Sequence, residues 1–483
     1  MRAPLVHTGD DPTLLAELPV LSRILIVLLA LAAVRTDAAQ LRSSFHLDLD
    51  DCDDVAADSS SLYFACHSAH APGAIPANPP NMDAWVAKLD RHTGKLLYLT
   101  HLGGEGVDIA DRIKVDNRGH AYVTGFTGSH DFPITANALQ RAYGGGESDA
   151  FLVEVDPEGH IVYSSYMGGS KADQGDGIAL AANGDVWIAG STWSTDFPNV
   201  KERFGSRGKG DLFVSRLRPS DATVHSTIVL GGSNDEKLTG IAIAEKSVFV
   251  TGYTESADFP LVRPLQPRLS GPSDAFLVAL QDGLESITFS TYLGGSGNDS
   301  AWGVGLDPEG NPVVAGITES DDLPVTGGAF QKRRGGQADA FLMQLDRSGQ
   351  KVLFSTYYGG SGVDQAGYDG GNVAVAATGT IWMAGLTNSH DLMVPGGYHL
   401  RYGGGEQDGF LIAVSSNGNL CYGTYTGSTA RALLEGVTIA DSDTVLYAVG
   451  TVIRPIEKKS PAPNAKEKYG MFVVGLETPK NCR

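Results

Sequence analysis

The stretch that decides the fold is residues 274–316, which read DAFLVALQDGLESITFSTYLGGSGNDSAWGVGLDPEGNPVVAG. It divides into four short runs rich in β-branched and aromatic residues, with turns of Gly, Asp and Pro between them. Runs of this kind predict strands, and the Pro-Glu-Gly-Asn turn between the last two predicts a hairpin. The stretch therefore predicts one unit of four antiparallel strands.

This unit recurs along the chain with an average period of about 64 residues. Its first strand occurs seven times, always with an aromatic residue at the third position, and begins at Asp83, Asp149, Asp211, Asp274, Asp339, Asp408 and Gly470. A parallel β-helix also has Gly turns, but its coils are far shorter. Four-stranded units of this length indicate the blades of a β-propeller, whose closure removes exposed strand edges.

The number of blades follows from two sets of markers. The hairpin that closes each unit also occurs seven times, ending at Gly125, Gly190, Gly252, Gly316, Gly385 and Gly450, and in its first copy at Ala65-Cys66. The first hairpin, Val55–Cys66, has no marker strand before it, and the last marker strand, Gly470–Leu476, has no hairpin after it. We therefore predict an all-β, seven-bladed propeller of four-stranded antiparallel blades over residues 40–483, with one blade closed by residues 42–67 and 470–483.

Several motifs recur in fixed order and resemble those of a known family. They are the FSTYLGGSGND run at residues 289–299, the Thr-Gly strand ends, and the Asp-Phe-Pro linkers at residues 131–133, 196–198 and 258–260. Over residues 42–476 the chain resembles the SBBP-type β-propeller repeat of exported bacterial proteins. The linkers at Asp322 and Asp391 depart from the pattern. The resemblance implies an extracytoplasmic propeller and brings no catalytic motif.

The N-terminal segment predicts export. Arg23 precedes an apolar run, Ile24–Val34, and small residues near Ala38 and Ala39 suit cleavage. The run is too short for an ordinary membrane span, so residues 1–39 are interpreted as an export signal or leader, although an uncleaved anchor stays open. The formal net charge of -20 disfavours nucleic acid and anionic membrane surfaces as partners. We expect a secreted, periplasmic or cell-surface monomer without a membrane span in the mature chain.

The chain has four cysteines, Cys52, Cys66, Cys421 and Cys482, an even number that fits an oxidising compartment. Four cysteines allow three pairings, and the sequence does not choose among them. Pairing Cys52 with Cys66 would leave Cys421 with Cys482 to fix the C-terminus.

Acidic residues recur four positions after the second Gly of the Gly-Gly pair, at Asp108, Asp173, Glu236, Asp299 and Asp364. Equivalent positions in successive blades lie on one ring, and oxygen ligands suit Ca²⁺. We weigh this weak calcium site against a structural role, in which each carboxylate caps backbone N–H groups of its turn. The second role is favoured, and no cofactor is expected. The Asp that heads each marker strand is also interpreted as structural, since a catalytic residue would occur once.

Three features break the repeat near the predicted split blade. One is an acidic cluster of Asp48, Asp50, Asp51, Asp53, Asp54 and Asp58, and the others are the loops at residues 67–82, with His67 and His70, and 457–468. Propeller function usually lies in such loops. Because elbow, P-loop and dinucleotide motifs are absent from the sequence, we expect an exported, non-enzymatic recognition or scaffold propeller that binds a protein or glycan. The alternative is an extracytoplasmic lyase or hydrolase with an acidic and His site at the channel mouth.

Overall fold

The computed structural model describes residues 41–47, 49, 51–68, 82–244, 246–367, 371–427, 430–440, 445–455 and 467–482. The predicted export segment, residues 1–39, lies outside these ranges, as do His70, Asp48 and Asp50. Among the described residues, no helix has the length and apolar character needed to cross a membrane.

The first half of the described chain consists almost entirely of strands. They are β1 (Leu41–Leu47), β2 (Asp51–Ala57), β3 (Ser61–Ser68), β4 (Asp83–Asp90), β5 (Leu96–Leu102), β6 (Asp108–Val115), β7 (Ala121–Thr127), β8 (Asp149–Val155), β9 (Ile161–Met167), β10 (Asp173–Leu180), β11 (Val186–Thr192), β12 (Val200–Gly205), β13 (Asp211–Arg218) and β14 (Thr223–Gly231), with a 3-10 turn at Pro219–Asp221.

The second half continues in the same way. Its strands are β15 (Glu236–Ala244), β16 (Ser247–Thr254), β17 (Asp274–Gln281), β18 (Ile287–Leu293), β19 (Asp299–Leu306), β20 (Pro312–Thr318), β21 (Asp339–Leu345), β22 (Val352–Tyr358), β23 (Asp364–Gln365), β24 (Val373–Val375), β25 (Ile381–Thr387), β26 (Asp408–Val414), β27 (Leu420–Tyr425), β28 (Arg431–Ala440), β29 (Val445–Pro455) and β30 (Glu467–Glu477), with a 3-10 turn at Lys480–Cys482.

The strands pair into seven separate sheets, which are the blades of a propeller. Blades 1 to 6 are continuous in sequence and comprise β2–β5, β6–β9, β10–β14, β15–β18, β19–β22 and β23–β27, and blade 7 joins β28, β29 and β30 with β1. Consecutive main strands of a blade pair antiparallel, while β12 adds a parallel strand to β14. The predicted fold class, seven four-stranded blades with one closed by both termini, is confirmed.

The residues predicted to close the ring are corrected by the pairing. The Val55–Cys66 hairpin pairs with β4 inside blade 1, whereas the C-terminal strand β30 pairs with β29 and with β1. Closure therefore uses Leu41–Leu47 alone and not the whole of residues 42–67. The long segment between β3 and β4 concealed their pairing, and the unit read from residue 274 begins at the third strand of a blade.

The first strands of the blades contact one another around the ring, and their bulges explain the Gly that ends each second strand. In blade 2 the register shifts between Ala110 and Arg112, opposite Gly125. A Cβ on Gly125 would clash with the carbonyl oxygen of Ile109, so only Gly fits where the bulged strand approaches. In blade 1 this position is Cys66.

Hydrophobic residues fill the spaces between adjacent blades. Phe213 of blade 3, for example, packs with Tyr122, Leu152 and Tyr163 of blade 2. The aromatic residue at the third position of the marker strands is fully buried in blades 2 to 6, and burying one Phe contributes about 3 kcal/mol. These residues hold neighbouring blades together.

Two disulfides bond Cys52 to Cys66 and Cys421 to Cys482. The first joins adjacent strands of blade 1, with Cα atoms 3.9 Å apart. The second ties the turn after β30 to β27 of blade 6, where Thr380 Oγ1 also donates to the Cys482 carbonyl at 2.5 Å. The C-terminus is thus fixed to two blades.

Candidate functional site

The five acidic residues of the predicted ring each begin the first strand of a blade, from blade 2 to blade 6. All five are at most 1% exposed. Asp173 shows the shared arrangement, because its carboxylate accepts from the Gly169 N–H at 2.7 Å, from Ser194 Oγ at 2.8 Å and from Thr192 Oγ1. We call this set of hydrogen bonds the carboxylate latch.

The same latch recurs in the other four blades that carry one of these acidic residues. The second Gly of each Gly-Gly pair donates to Asp108, Glu236, Asp299 and Asp364 at 2.7 to 2.9 Å. Burial raises the pKa of each of these carboxyls, and raises the pKa of Asp173 to about 6 despite its donors. This geometry provides the structural role described above, in which each carboxylate caps a backbone N–H group of its turn.

The structure places these five carboxylates in five different blades. In the described part of the chain, no group of three or more His, Cys, Asp or Glu side chains is arranged to hold a metal ion. Calcium binding at the ring therefore stays a prediction, and the described residues do not bring these carboxylates together at one site.

In blades 2 to 6, the Asp that heads the marker strand holds the loop before it. Asp274 accepts from the backbone N–H groups of Ser270 and Gly271 at 2.9 and 3.2 Å and from Gln266 Nε2 at 2.7 Å. A Cβ added at Gly294 would lie 2.9 Å from Asp274 Oδ1 and 2.7 Å from Asp299 Oδ2. The first Gly of the pair therefore fits between the carboxylates of two blades, so the repeated residues serve the architecture.

Part of the acidic cluster of blade 1 meets His67. The His67 ring nitrogens lie 3.1 Å from Asp53 Oδ2 and 3.9 Å from Asp51 Oδ2. Burial would lower the pKa of His67, but the two carboxylates outweigh burial and raise it to about 10, so the ring is a cation at neutral pH. Burial, with Asp53, raises the pKa of Asp51 to about 6.

The remaining described members of that cluster have separate structural partners. Asp54 accepts from the Ile113 N–H at 3.1 Å and from Lys114 Nζ at 3.2 Å, which joins blade 1 to blade 2. Asp58 caps its own turn by accepting from the Ser60 N–H at 2.7 Å. The loop at residues 69–81 and residues 456–466 of the second predicted loop lie outside the described residues.

A groove of about 910 Å³ lies between blades 2 and 3. It is lined by the turn between β6 and β7, by the turn between β10 and β11, by the turn after β13, and by residues of β7, β8 and β9. Two of its polar side chains, His120 and Glu154, differ in type from those at the same positions of other blades. At the position of Glu154, blades 1, 3, 4, 5 and 6 carry Lys88, Arg216, Ala279, Gln344 and Ala413.

Two groove side chains meet at the carboxylate of a third residue, Glu154. Glu154 Oε1 lies 2.7 Å from His120 Nδ1 and accepts from the Tyr122 hydroxyl at 3.1 Å. Arg118 Nε donates to Asp116 Oδ2 at 2.8 Å, and its Nη2 donates to the Tyr122 hydroxyl at 3.3 Å. The result is a connected polar network on one wall of the groove.

The opposite wall is also internally paired. Arg218 lines the groove, and its Nε donates to Asp185 Oδ1 at 2.8 Å. Asn183 Nδ2 donates to Asp185 Oδ2 at 3.0 Å. Burial would raise the pKa of Asp185, but hydrogen bonds from Arg216, Arg218 and Asn183 outweigh it and hold the pKa below its ordinary value.

Sequence reasoning missed this groove, because it followed the residues that the blades share and did not compare the turn at residues 116–120 with its counterparts. The signal was present: the turn reads Asp-Asn-Arg-Gly-His, whereas the matching turn of blade 5 reads Asp-Pro-Glu-Gly-Asn. In a repeat protein, a chemically distinct side chain at a repeated position is free of the shared structural role.

Comparison with known proteins gives a limited set of similarities. No family model matches the chain. It is 25% identical over 317 residues to the regulatory protein FlaEY of Caulobacter vibrioides, an alignment that covers 61% of this chain and 32% of that protein. The chain thus spans about a third of the length of that relative.

Three solved structures are similar in chain trace. The Dos1 propeller covers 91% of this chain and 95% of its own, with a TM-score of 0.43 and 10% identity. A protein of unknown function from Dyadobacter fermentans covers 91% and 99%, with a TM-score of 0.37 and 10% identity. An acylaminoacyl peptidase of Pyrococcus horikoshii covers 83% and 49%, with a TM-score of 0.43 and 9% identity. The propeller assignment itself rests on the strand pairing within this chain.

Proposed function

We propose that this protein is an exported, non-enzymatic recognition propeller that binds a partner through the groove between blades 2 and 3. One observation carries the proposal. The groove gathers polar side chains from two blades, and among them His120 and Glu154 are residue types that no other blade carries at those positions. Pockets with a few convergent polar groups are the usual sites of ligand binding.

Export is supported by the two disulfides, because such bonds form and persist in oxidising compartments. The SBBP-type motifs quoted above support the same placement, and we propose that the chain is a member of that exported group. The predicted signal at residues 1–39 completes this part of the proposal.

A recognition role is also in keeping with the relative in Caulobacter vibrioides, whose name describes it as a regulatory protein. Regulation by a protein of this fold requires binding, and the groove supplies a place for it. The proposal extends to this chain only the idea of binding and not the activity of the longer protein.

The test uses the full mature protein on two arrays, one of glycans and one of peptides. The groove variant is His120→Ala with Glu154→Ala, which removes the interactions centred on Glu154. The matched control is Asn311→Ala with Gln344→Ala, the same two positions in blade 5, where both side chains donate to Asp307 at 2.7 to 2.8 Å.

We expect binding to one of the two arrays that the control retains and the groove variant loses. Binding that both variants retain, or no binding by the wild type, would contradict recognition at the groove. Mass spectrometry of bound ligands serves as the check on catalysis. Products that are shortened by hydrolysis or formed by elimination would favour the lyase or hydrolase alternative.

A further inference from the structure

We propose that the ligand of the groove between blades 2 and 3 is a neutral glycan, an inference that rests on the function proposed above. Three properties of the groove lead to this ligand class: its charges are paired, its hydrogen-bonding groups are numerous, and its large aromatic residues are buried.

The arginines that line the groove are already paired with carboxylates within the protein. Arg118 is paired with Asp116 at 2.8 Å, and Arg218 with Asp185. His120 lies 2.7 Å from Glu154. Binding an anion or a cation here would require one of these pairs to open, which leaves a partner charge poorly compensated. A ligand without net charge carries no such cost.

The groove also offers neutral hydrogen-bonding groups. The amides of Asn117 and Asn137 line it, and each primary amide has two donor hydrogens and an acceptor oxygen, whereas the amide of Asn183 already bonds Asp185. Adjacent hydroxyls of a sugar ring are both donors and acceptors, so planar amide, carboxylate and guanidinium groups can each bond two of them. A volume of about 910 Å³ accommodates a short oligosaccharide.

A protein partner is less well matched to this surface. Protein interfaces depend on a few large side chains, above all aromatic ones, that enter desolvated pockets. In the groove, Tyr122 and Tyr163 are only 5% and 1% exposed. The large hydrophobic residue that the groove does expose is Val162, at 41%. The groove therefore presents polar groups for hydrogen bonding rather than an apolar surface for burial.

The experiment measures dissociation constants by calorimetry for cellotriose, maltotriose, mannotriose and tri-N-acetylchitotriose, chosen as neutral probes. Heparin and polylysine serve as charged probes and a random peptide library as the protein probe. Because a doubly substituted groove could lose its fold, Arg118→Ala is added, since its side chain is 63% exposed. Glu309→Ala at the same position of blade 5 is its control.

We expect at least one neutral trisaccharide to bind, with affinity reduced on the order of tenfold or more in Arg118→Ala and unchanged in Glu309→Ala. Salt should leave this affinity nearly unaltered, because neither partner contributes an unpaired charge. Groove-dependent binding of heparin, polylysine or peptides without trisaccharide binding would overturn the glycan inference and preserve recognition at the groove. Absence of binding to every probe would overturn both.

Discussion

The carboxylate latch should make stability depend on five serine hydroxyls, Ser129, Ser194, Ser256, Ser320 and Ser389. Each is at most 5% exposed, and each accepts a backbone N–H at 2.8 to 2.9 Å. Four of them donate to the latch carboxylate at 2.7 to 2.8 Å. Replacing all five serines by Ala removes the hydroxyl that donates to the carboxylate. It also leaves the backbone N–H group that this hydroxyl accepts without its hydrogen-bond partner.

The expected size depends on the charge of the carboxylate. A hydrogen bond to a charged group contributes about 2 kcal/mol and one between neutral groups about 1 kcal/mol. Effects in separate blades should add, which gives about 10 kcal/mol at pH 8, where the carboxylates are ionised, and a smaller loss at pH 5, where Asp173 is protonated. Unfolding a chain of 483 residues releases entropy of about 1 kcal/mol per degree, so the melting temperature should fall by about 10 °C at pH 8 and by less at pH 5.

The direction of the pH dependence follows from the raised pKa values. Asp173 has a pKa of about 6 in the folded protein and near 4 when unfolded. Its protonated form is therefore favoured by folding, and this contribution is complete below about pH 4 and lost as the pH rises through 6. At pH 8 the carboxylate is ionised and depends most on its donors.

Calorimetric scans at the two pH values are the assay, and Ser164→Ala with Ser355→Ala is the matched control. These two serines are fully buried, but neither hydroxyl has a hydrogen-bond partner among the described residues. The control should leave the melting temperature nearly unchanged. The variant with all five serines replaced could lose no more melting temperature than the control, or could lose more stability at pH 5 than at pH 8. Either result would show that the latch does not stabilise the fold as proposed.

Three further predictions concern closure, calcium and export. Deleting Gly470–Arg483 removes β30 and should lower the melting temperature and cause self-association, because β29 and β1 lose their shared partner; a monomer with unchanged melting would be inconsistent with closure. Calcium should not alter the melting temperature, since Asp299 already accepts from Gly295 and Ser320; a rise abolished by Asp299→Ala would overturn this. Reduction should add about 4 Da to the freshly exported protein, two hydrogens for each disulfide, and finding four thiols beforehand would exclude the bonds.

The sequence predicted the blades because the marker residues are tied to geometry. Gly125 and its counterparts face a bulge that excludes a side chain, and Asp274 and its counterparts hold loops, so these residue types recur at a fixed spacing. The strand that closes blade 7 lacked such a marker, and the prediction took the Val55–Cys66 hairpin in its place. The closing strand β1 does carry a related motif, because Ser-Ser-Phe at residues 43–45 matches Ser-Ser-Tyr at residues 164–166 of the outer strand of blade 2.

The groove could not be found by the same reasoning. Glu154 and His120 come together through the pairing of β7 with β8 within blade 2. Arg218 comes from the next blade, so its place across the groove depends on how the two blades pack. A repeat shows which positions are equivalent, but it does not show which positions of neighbouring blades face each other across a gap. That information appears only once the sheets are placed side by side.

The pairing of β1 with β30 has a consequence for how the protein is made. About 420 residues separate Leu47 from Glu467, a length that a ribosome adding 5 to 20 residues per second needs roughly 20 to 80 s to synthesise. During that time the earliest strand has no partner, and the ring stays open whatever the state of the other blades. The ring therefore cannot close until β30 has been synthesised, and the addition of this strand determines when the closed form can be reached.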